Sequence, residues 1–192
     1  MRKVLETRAP RIAAWLLPLS VAAGPGCGAG EGAGPPRGPR AEPAAATSVE
    51  IVDLAGLEAA LARQRGRGVL LNFWAIWCPP CVAELPELVE TAREFQGEGG
   101  IVLAVSYDLM VPEATRDGTL EKVKRFAAER DIAVPVLIFD GPDLDAINER
   151  FDLPGPIPVT LAIDREGRIV DREPGRADRA RFDELMRKAL AR

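Results

Sequence analysis

The chain has 192 residues, 47% of them hydrophobic but only 5% aromatic, and its 25 basic and 29 acidic side chains give a net charge of −4. That balance argues against nucleic acid as a partner, because a phosphate backbone is bound by clustered Lys and Arg. The absence of histidine removes Ser-His-Asp and Cys-His hydrolases and most metal sites.

Residues 1–27 read as an export signal. Arg2, Lys3, Arg8 and Arg11 give a positive start, diluted by Glu6, and Ile12 to Ala23 is an apolar run of h-region length, short for a membrane span. Cys27 follows the small residues Gly24 and Gly26, the setting in which a bacterial lipoprotein is cleaved and acylated. Lipidation of Cys27 is therefore expected, although the preferred Leu three residues earlier is missing and Pro25 is awkward. Ordinary cleavage and an uncleaved anchor are the alternatives. Residues 28–47 are Gly, Pro and Ala with few large apolar side chains, which predicts a flexible tether. Residues 48–192 are enough for one domain with a real core.

Within that domain strands and helices alternate. Val49–Asp53 reads as a short strand and Leu54–Arg65 as a helix, with Leu54, Leu57 and Leu61 at helical spacing. Residues 68–74 hold a short apolar run with aromatic residues, preceded by glycine, which predicts a buried strand. From Pro79 to Phe95, Val82, Leu85, Leu88, Val89 and Ala92 recur every three or four residues. Pro86 inside that helix predicts a kink, since it removes one i→i−4 bond and crowds the Val82 carbonyl. Ile101–Ser106 is a strand, Asp108–Gly118 a long solvated loop, and Leu120–Arg130 a helix with Val123, Phe126 and Ala127 on one face. Pro135–Phe139 is a strand, Leu144–Arg150 a short helix, and Val159–Ile163 with Arg168–Val170 a hairpin about Glu166-Gly167. A last helix spans Arg179–Leu190. The order predicts an α/β protein, a parallel sheet with an antiparallel edge and helices on both faces.

The chemistry concentrates in Trp77-Cys78-Pro79-Pro80-Cys81, where strand 68–74 meets the helix from Pro79. A C-x-x-C that opens a helix after a strand is a redox pattern. The thiolate is the attacking species, and a helix N-terminus lowers a cysteine pKa through its free N–H groups and dipole. Cys78 falls at the N-cap and Cys81 at the third helical position, with Pro79 suited to the first. Pro80 removes a second donor, so the N–H groups of Cys81 and Val82 are the first within reach of the Cys78 sulfur. Cys78 is expected to be the exposed attacking thiol and Cys81 the buried resolving thiol. Zinc lacks ligands, since the third cysteine, Cys27, is far away. A purely structural disulfide remains open, although so small a ring restrains little chain. Glu84 lies three residues after Cys81, on the same helix face, where a carboxylate could exchange the thiol proton; a solvated glutamate is the plain alternative.

Asn72-Phe73-Trp74-Ala75-Ile76-Trp77-Cys78-Pro79-Pro80-Cys81, followed by Glu84-Leu85-Pro86, resembles the TlpA/ResA branch of the thioredoxin-like thiol–disulfide oxidoreductases. Gly155-Pro156-Ile157-Pro158-Val159-Thr160-Leu161-Ala162-Ile163-Asp164, with Gly167 and Arg168-Ile169-Val170 after it, resembles the same branch. The likeness covers residues 48–192 and departs from the pattern in the density of Pro154, Pro156 and Pro158. It implies a thioredoxin-like fold, a central mixed sheet with helices on both faces and an inserted helix–strand element. It implies a cis Pro158 facing the cysteine pair, whereas the residues alone read as an ordinary loop proline. It also implies that Trp77, Ile157 and Pro158 meet an extended substrate segment, and that Asn72 pairs with Glu84 as a proton relay.

The function implied is thiol–disulfide exchange outside the cytoplasm, with no cofactor beyond Cys78 and Cys81. The expected direction is reduction of disulfides in exported proteins, including those of cytochrome c maturation. A membrane thiol donor would supply the electrons, and a lipid anchor or leader would hold the chain at the membrane. A DsbA-like oxidant and a non-catalytic thioredoxin-like binding module are the alternatives, the intact cysteine pair weighing against the module. A peroxiredoxin-like site would set Thr three residues before its cysteine, where this chain has Ala75.

Overall fold

From Thr47 onward the chain alternates strand and helix in the computed structural model, which describes residues 47–142 and 144–191. The expected signal 1–27, Cys27 and the tether up to residue 46 lie outside the described residues. Thr47, the last residue of the stretch read as tether, donates its hydroxyl to the Ile132 carbonyl and so belongs to the domain. The elements are β1 (Val49–Val52), α1 (Leu54–Ala62), β2 (Gly68–Trp74), α2 (Pro79–Phe95), β3 (Gly100–Ser106), α3 (Arg116–Glu129), β4 (Val136–Phe139), α4 (Asp145–Phe151), β5 (Val159–Ile163), β6 (Ile169–Pro174) and α5 (Arg179–Leu190), with a 3-10 turn at Gln96–Glu98 after α2.

The six strands lie in the order β1-β4-β3-β2-β5-β6. β1, β4, β3 and β2 are mutually parallel, β5 runs antiparallel to β2, and β6 antiparallel to β5. This is the mixed sheet expected, and the unit α3–β4, wedged between β3 and the edge strand β1, takes the place of the inserted helix–strand. Passing from β2 to β3 to β4 moves across the sheet in one direction, so right-handed crossovers put α2 and α3 on one face, while α1 crosses the other way. Side-chain contacts agree. Trp74 packs on Phe126 of α3 with ring centroids 5.7 Å apart, whereas Phe73, one residue earlier and pointing to the opposite face, meets Phe151 of α4 at 5.9 Å. With both faces covered, every residue of β2 is buried.

Three boundaries differ from the sequence reading by more than two residues, each for a local reason. α1 stops at Ala62, not Arg65, because the chain turns back at Gly66, which has φ +86° and donates its N–H to the Arg165 carbonyl. α3 starts at Arg116 rather than Leu120, since the Thr115 hydroxyl accepts the Gly118 N–H and caps a polar first turn with no apolar periodicity. β6 extends to Pro174 because Asp171, Arg172 and Glu173 are held by pairing with β5, a polar stretch on an edge strand. α2 keeps its expected span from Pro79 to Phe95, with Pro86 inside it.

The final helix is placed by two glycines. Gly68 and Gly100 are direct partners at the start of β2 and β3. A Cβ on Gly68 would lie 2.9 Å from the Ala189 carbonyl carbon of α5, and one on Gly100 would lie 2.8 Å from Met186 Sδ of the same helix. The glycine pair is therefore a slot into which α5 settles, burying Phe182, Leu185, Met186 and Ala189. Gly68→Ala should push α5 outward, because its clash is with backbone. The expected loss is about 1–3 kcal/mol of stability, read as a lower urea midpoint with an unchanged slope. An unaltered midpoint would show that α5 is free to yield.

Candidate active site

β2 ends at Trp74, and the chain reverses through Ala75, Ile76 and Trp77 into α2, with the Cys78 N–H donating to the Ala75 carbonyl at 3.2 Å. Cys78 is the N-cap residue of α2, with an extended backbone, and Pro79 and Pro80 hold the first two helical positions. The Cys81 N–H donates to Cys78 Sγ at 3.4 Å. Val82 does not: its N–H goes to the Cys78 carbonyl at 3.0 Å as the first helical bond, so the sulfur has one of the two expected donors. The two sulfurs are joined as a disulfide, with Cα atoms 5.3 Å apart.

Exposure corrects one expectation. Cys81 is fully buried as expected, but Cys78 is only 5% exposed. The cover is the segment ahead of β5: Cys78 Sγ lies 3.9 Å from the Ile157 carbonyl oxygen. That carbonyl can accept an S–H bond only once the disulfide is open. The accessible side chains beside the pair are Trp77, 49% exposed, with Pro79 and Pro80. The Ile157–Pro158 peptide is cis, and Pro158 is buried. Sheet register brings it there: Phe73 pairs with Val159 across the β2–β5 ladder, so the step beyond sets Pro158 beside the end of β2.

Glu84 is fully buried, one helical turn after Cys81. Its Oε1 accepts from Asn72 Nδ2 at 2.9 Å, and its Oε2 from the Ala177 N–H at 2.9 Å. Asn72 Nδ2 also donates to Thr160 Oγ1 at 2.9 Å, its direct partner across β2 and β5. Burial pushes the Glu84 carboxyl up from 4.5 to about 7, while the bonds from Ala177 and Asn72 and the nearby Arg176 charge pull back, and Glu87 adds to the rise. A carboxyl balanced near neutrality can both hold and give up a proton, which a solvated glutamate could not do at that pH.

Sequence reasoning missed three participants. Thr160 had a weak signal, two residues past the site proline in a strand. Ala177 had none, since a backbone N–H carries no residue identity. Asp108 was placed at the start of a solvated loop, yet it is 2% exposed, and its Oδ2 accepts the Ile76 N–H of the active-site turn at 3.0 Å. Among the described residues no group of three or more Cys, Asp or Glu side chains converges as a metal ion would need.

Comparison with known proteins places this geometry. Residues 42–172 match the AhpC/TSA family. The thiol-disulfide oxidoreductase ResA of Halalkalibacterium halodurans is 31% identical over 142 residues, 73% of each chain. ResA of Bacillus cereus is 28% identical over 138 residues, 72% of each chain. Among solved structures, a thiol:disulfide interchange protein of the thioredoxin family from Chlorobium tepidum aligns with a TM-score of 0.56 and 26% identity, covering 68% of this chain and 84% of the other. The exposed lipoprotein thioredoxin of Streptococcus pneumoniae aligns with a TM-score of 0.54 and 28% identity, covering 66% and 88%.

The raised proton affinity of Glu84 has a consequence for stability. The folded chain keeps this proton up to about pH 7, while the unfolded chain releases it near 4.5. The folded state therefore binds more protons across that window, and its stability falls as pH rises through it, by roughly 3 kcal/mol in all. Denaturant midpoints of the native chain and Glu84→Gln, followed from about pH 5 to about pH 8, should diverge steadily, the native chain losing more. Parallel curves would mean that the carboxyl is ionised throughout.

Proposed function

The chain belongs to the AhpC/TSA family and is a thiol–disulfide oxidoreductase, and on that footing we propose that it works outside the cytoplasm as a membrane-held reductant of disulfides in exported proteins. The observation that carries the direction is the poor capping of the Cys78 sulfur. Pro79 and Pro80 have no N–H to offer, Val82 spends its own on the Cys78 carbonyl, and the one remaining donor, Cys81, stands at 3.4 Å. A thiolate with little stabilisation keeps the reduced form reactive and the couple reducing, the opposite of a strong oxidant, whose reduced form is stabilised.

In the forward reaction the Cys78 thiolate attacks one sulfur of a substrate disulfide. The substrate S–S bond breaks, a mixed disulfide forms on Cys78, and the released substrate thiolate takes a proton. Cys81 then loses its proton to Glu84 and attacks Cys78 Sγ, closing the Cys78–Cys81 disulfide and freeing the second substrate sulfur as a thiolate, which takes a proton in its turn. Two electrons pass from the protein dithiol to the substrate. A thiol donor at the membrane returns the chain to the dithiol state. Trp77, Ile157 and Pro158 form the substrate-binding surface, an extended segment lying along Ile157 as an added strand would.

The positive, apolar leader 1–27 and the tether that follows it up to residue 46 support an extracytoplasmic place, with Cys27 as the lipid attachment point. The likeness to an exposed lipoprotein thioredoxin supports the same reading. Exported proteins with vicinal cysteines, apocytochrome c among them, are the substrates this reading favours.

Two measurements test it. The reduction potential of the Cys78–Cys81 couple, titrated in the full chain against defined thiol buffers, should fall near the thioredoxin value of about −270 mV; a value toward about −120 mV would reverse the direction of electron flow. Cys81→Ser should accumulate a mixed disulfide on Cys78 with substrate proteins, and a variant that traps nothing would overturn the assignment of the attacking thiol.

A further inference from the structure

Asp108 lies just past the end of β3, and its side chain turns back toward the active-site turn. Its Oδ2 accepts two bonds, from the Ile76 N–H at 3.0 Å and from the Ser106 hydroxyl at 2.8 Å. Ser106 Oγ in turn accepts the Asp108 N–H at 3.1 Å, so the carboxylate is locked to its own strand end. Its Oδ1 faces Lys122 Nζ of α3 at 3.8 Å. The residue before it adds a parallel tie, the Tyr107 N–H donating to the Trp74 carbonyl at 2.9 Å. The turn that carries the attacking cysteine is thus fixed at Trp74 and Ile76 from β3, and closed on itself by the Cys78 N–H to Ala75 bond.

A carboxylate this deeply buried is a costly way to accept one backbone N–H, and a neutral acceptor would carry a smaller desolvation penalty. Its charge makes the bond to Ile76 a strong one, two residues before Cys78. The need arises when the disulfide opens. While the sulfurs are bonded, the ring itself holds Cys78; in the dithiol only the turn keeps Sγ over the Cys81 N–H and beside the Ile157 carbonyl.

We propose that Asp108 is a positioning residue for disulfide exchange: through the Ile76 N–H it holds the Ala75–Cys78 turn, and so keeps the reduced Cys78 sulfur on the N-terminus of α2. It touches neither substrate nor sulfur. Lys122 and Ser106 support it, the first by balancing its charge and the second by orienting Oδ2.

The test uses the full chain, reduced, as Asp108→Ala and Asp108→Asn. The readings are the rate of reaction with oxidised glutathione and the pH dependence of Cys78 alkylation by iodoacetamide. Asp108→Ala should slow exchange by about tenfold, the loss expected for one charge-assisted bond, and should raise the Cys78 pKa, because the sulfur no longer sits over its donor. Asp108→Asn keeps a carbonyl oxygen for the Ile76 N–H and should recover most of both readings. The competing effect has the opposite sign: if the carboxylate acted through its charge, either substitution would lower the thiol pKa, and that result overturns the proposal. So does an Asp108→Asn variant as impaired as Asp108→Ala, or an Asp108→Ala variant with unchanged rate and thiol pKa and only a lower denaturation midpoint. Should Asp108→Ala fail to fold, Ser106→Ala decides the matter, since it unties the carboxylate without removing it. Slower exchange with a higher Cys78 pKa supports the positioning role, and unchanged values overturn it.

Discussion

One buried carboxyl ties together the elements that carry the chemistry. Glu84 on α2 receives the Asn72 amide of β2 and the backbone N–H of Ala177, just ahead of α5, while the same Asn72 amide reaches Thr160 on β5. Taking such a group out of water is unfavourable unless its oxygens find donors, and here each oxygen has one. The arrangement tolerates no slip. A shift of β2 by one residue would turn Asn72 to the face covered by α1 and α4 and leave a buried Glu84 oxygen without its partner. The polar contact thereby specifies a register that apolar packing alone, on a strand buried on both faces, would specify weakly.

That contact in turn depends on where α5 lies. The paired glycines Gly68 and Gly100 let the helix approach the start of β2 and β3, and its apolar face does the rest. Ion pairs surround the helix: Arg179 meets Glu90, Glu94 and Asp183, and Arg181 meets Asp171, Glu173 and Glu184. Both arginines are half-buried, but Glu90, Glu94 and Glu184 are exposed, and pairs to an exposed partner contribute little. Apolar burial in the glycine slot is the stronger reason that Ala177 arrives beside Glu84, about as far from Gly68 along α5 as the helix is long.

The redox site is built by subtraction as much as by addition. A helix N-terminus ordinarily offers several N–H groups to a capping sulfur, and here two prolines and one backbone bond leave Cys78 a single donor. The same prolines hold Cys78 and Cys81 at the spacing of a closed ring. A buried carboxyl of near-neutral proton affinity stands one helical turn after the buried Cys81. Cys78 itself is covered by the Ile157 carbonyl, and Trp77 is the large side chain left exposed beside it.

The alternation of strand and helix, the cysteine pair at a helix start and the proline before β5 were all legible in the residues, because each rests on local rules: apolar period, cap position, and the missing N–H of proline. Element ends were legible only where those rules applied. The first turn of α3 and the second half of β6 are polar, so they carry no apolar period, and a cap in one case and cross-strand pairing in the other determined them. The TlpA/ResA-like pattern went further and pointed to the cis bond and to the Asn72–Glu84 pair. What remained outside its reach are contacts made by backbone atoms or by residues distant in sequence. The Ala177 N–H on Glu84, the carboxylate of Asp108 on the Ile76 N–H, and the cover of Ile157 over Cys78 all follow from which strands lie side by side. Sequence by itself determined which atoms can exchange electrons; only the tertiary structure decided which of them are buried and what holds them, because burial and hydrogen-bond partners depend on sheet order and on the docking of α5, which no local spacing encodes.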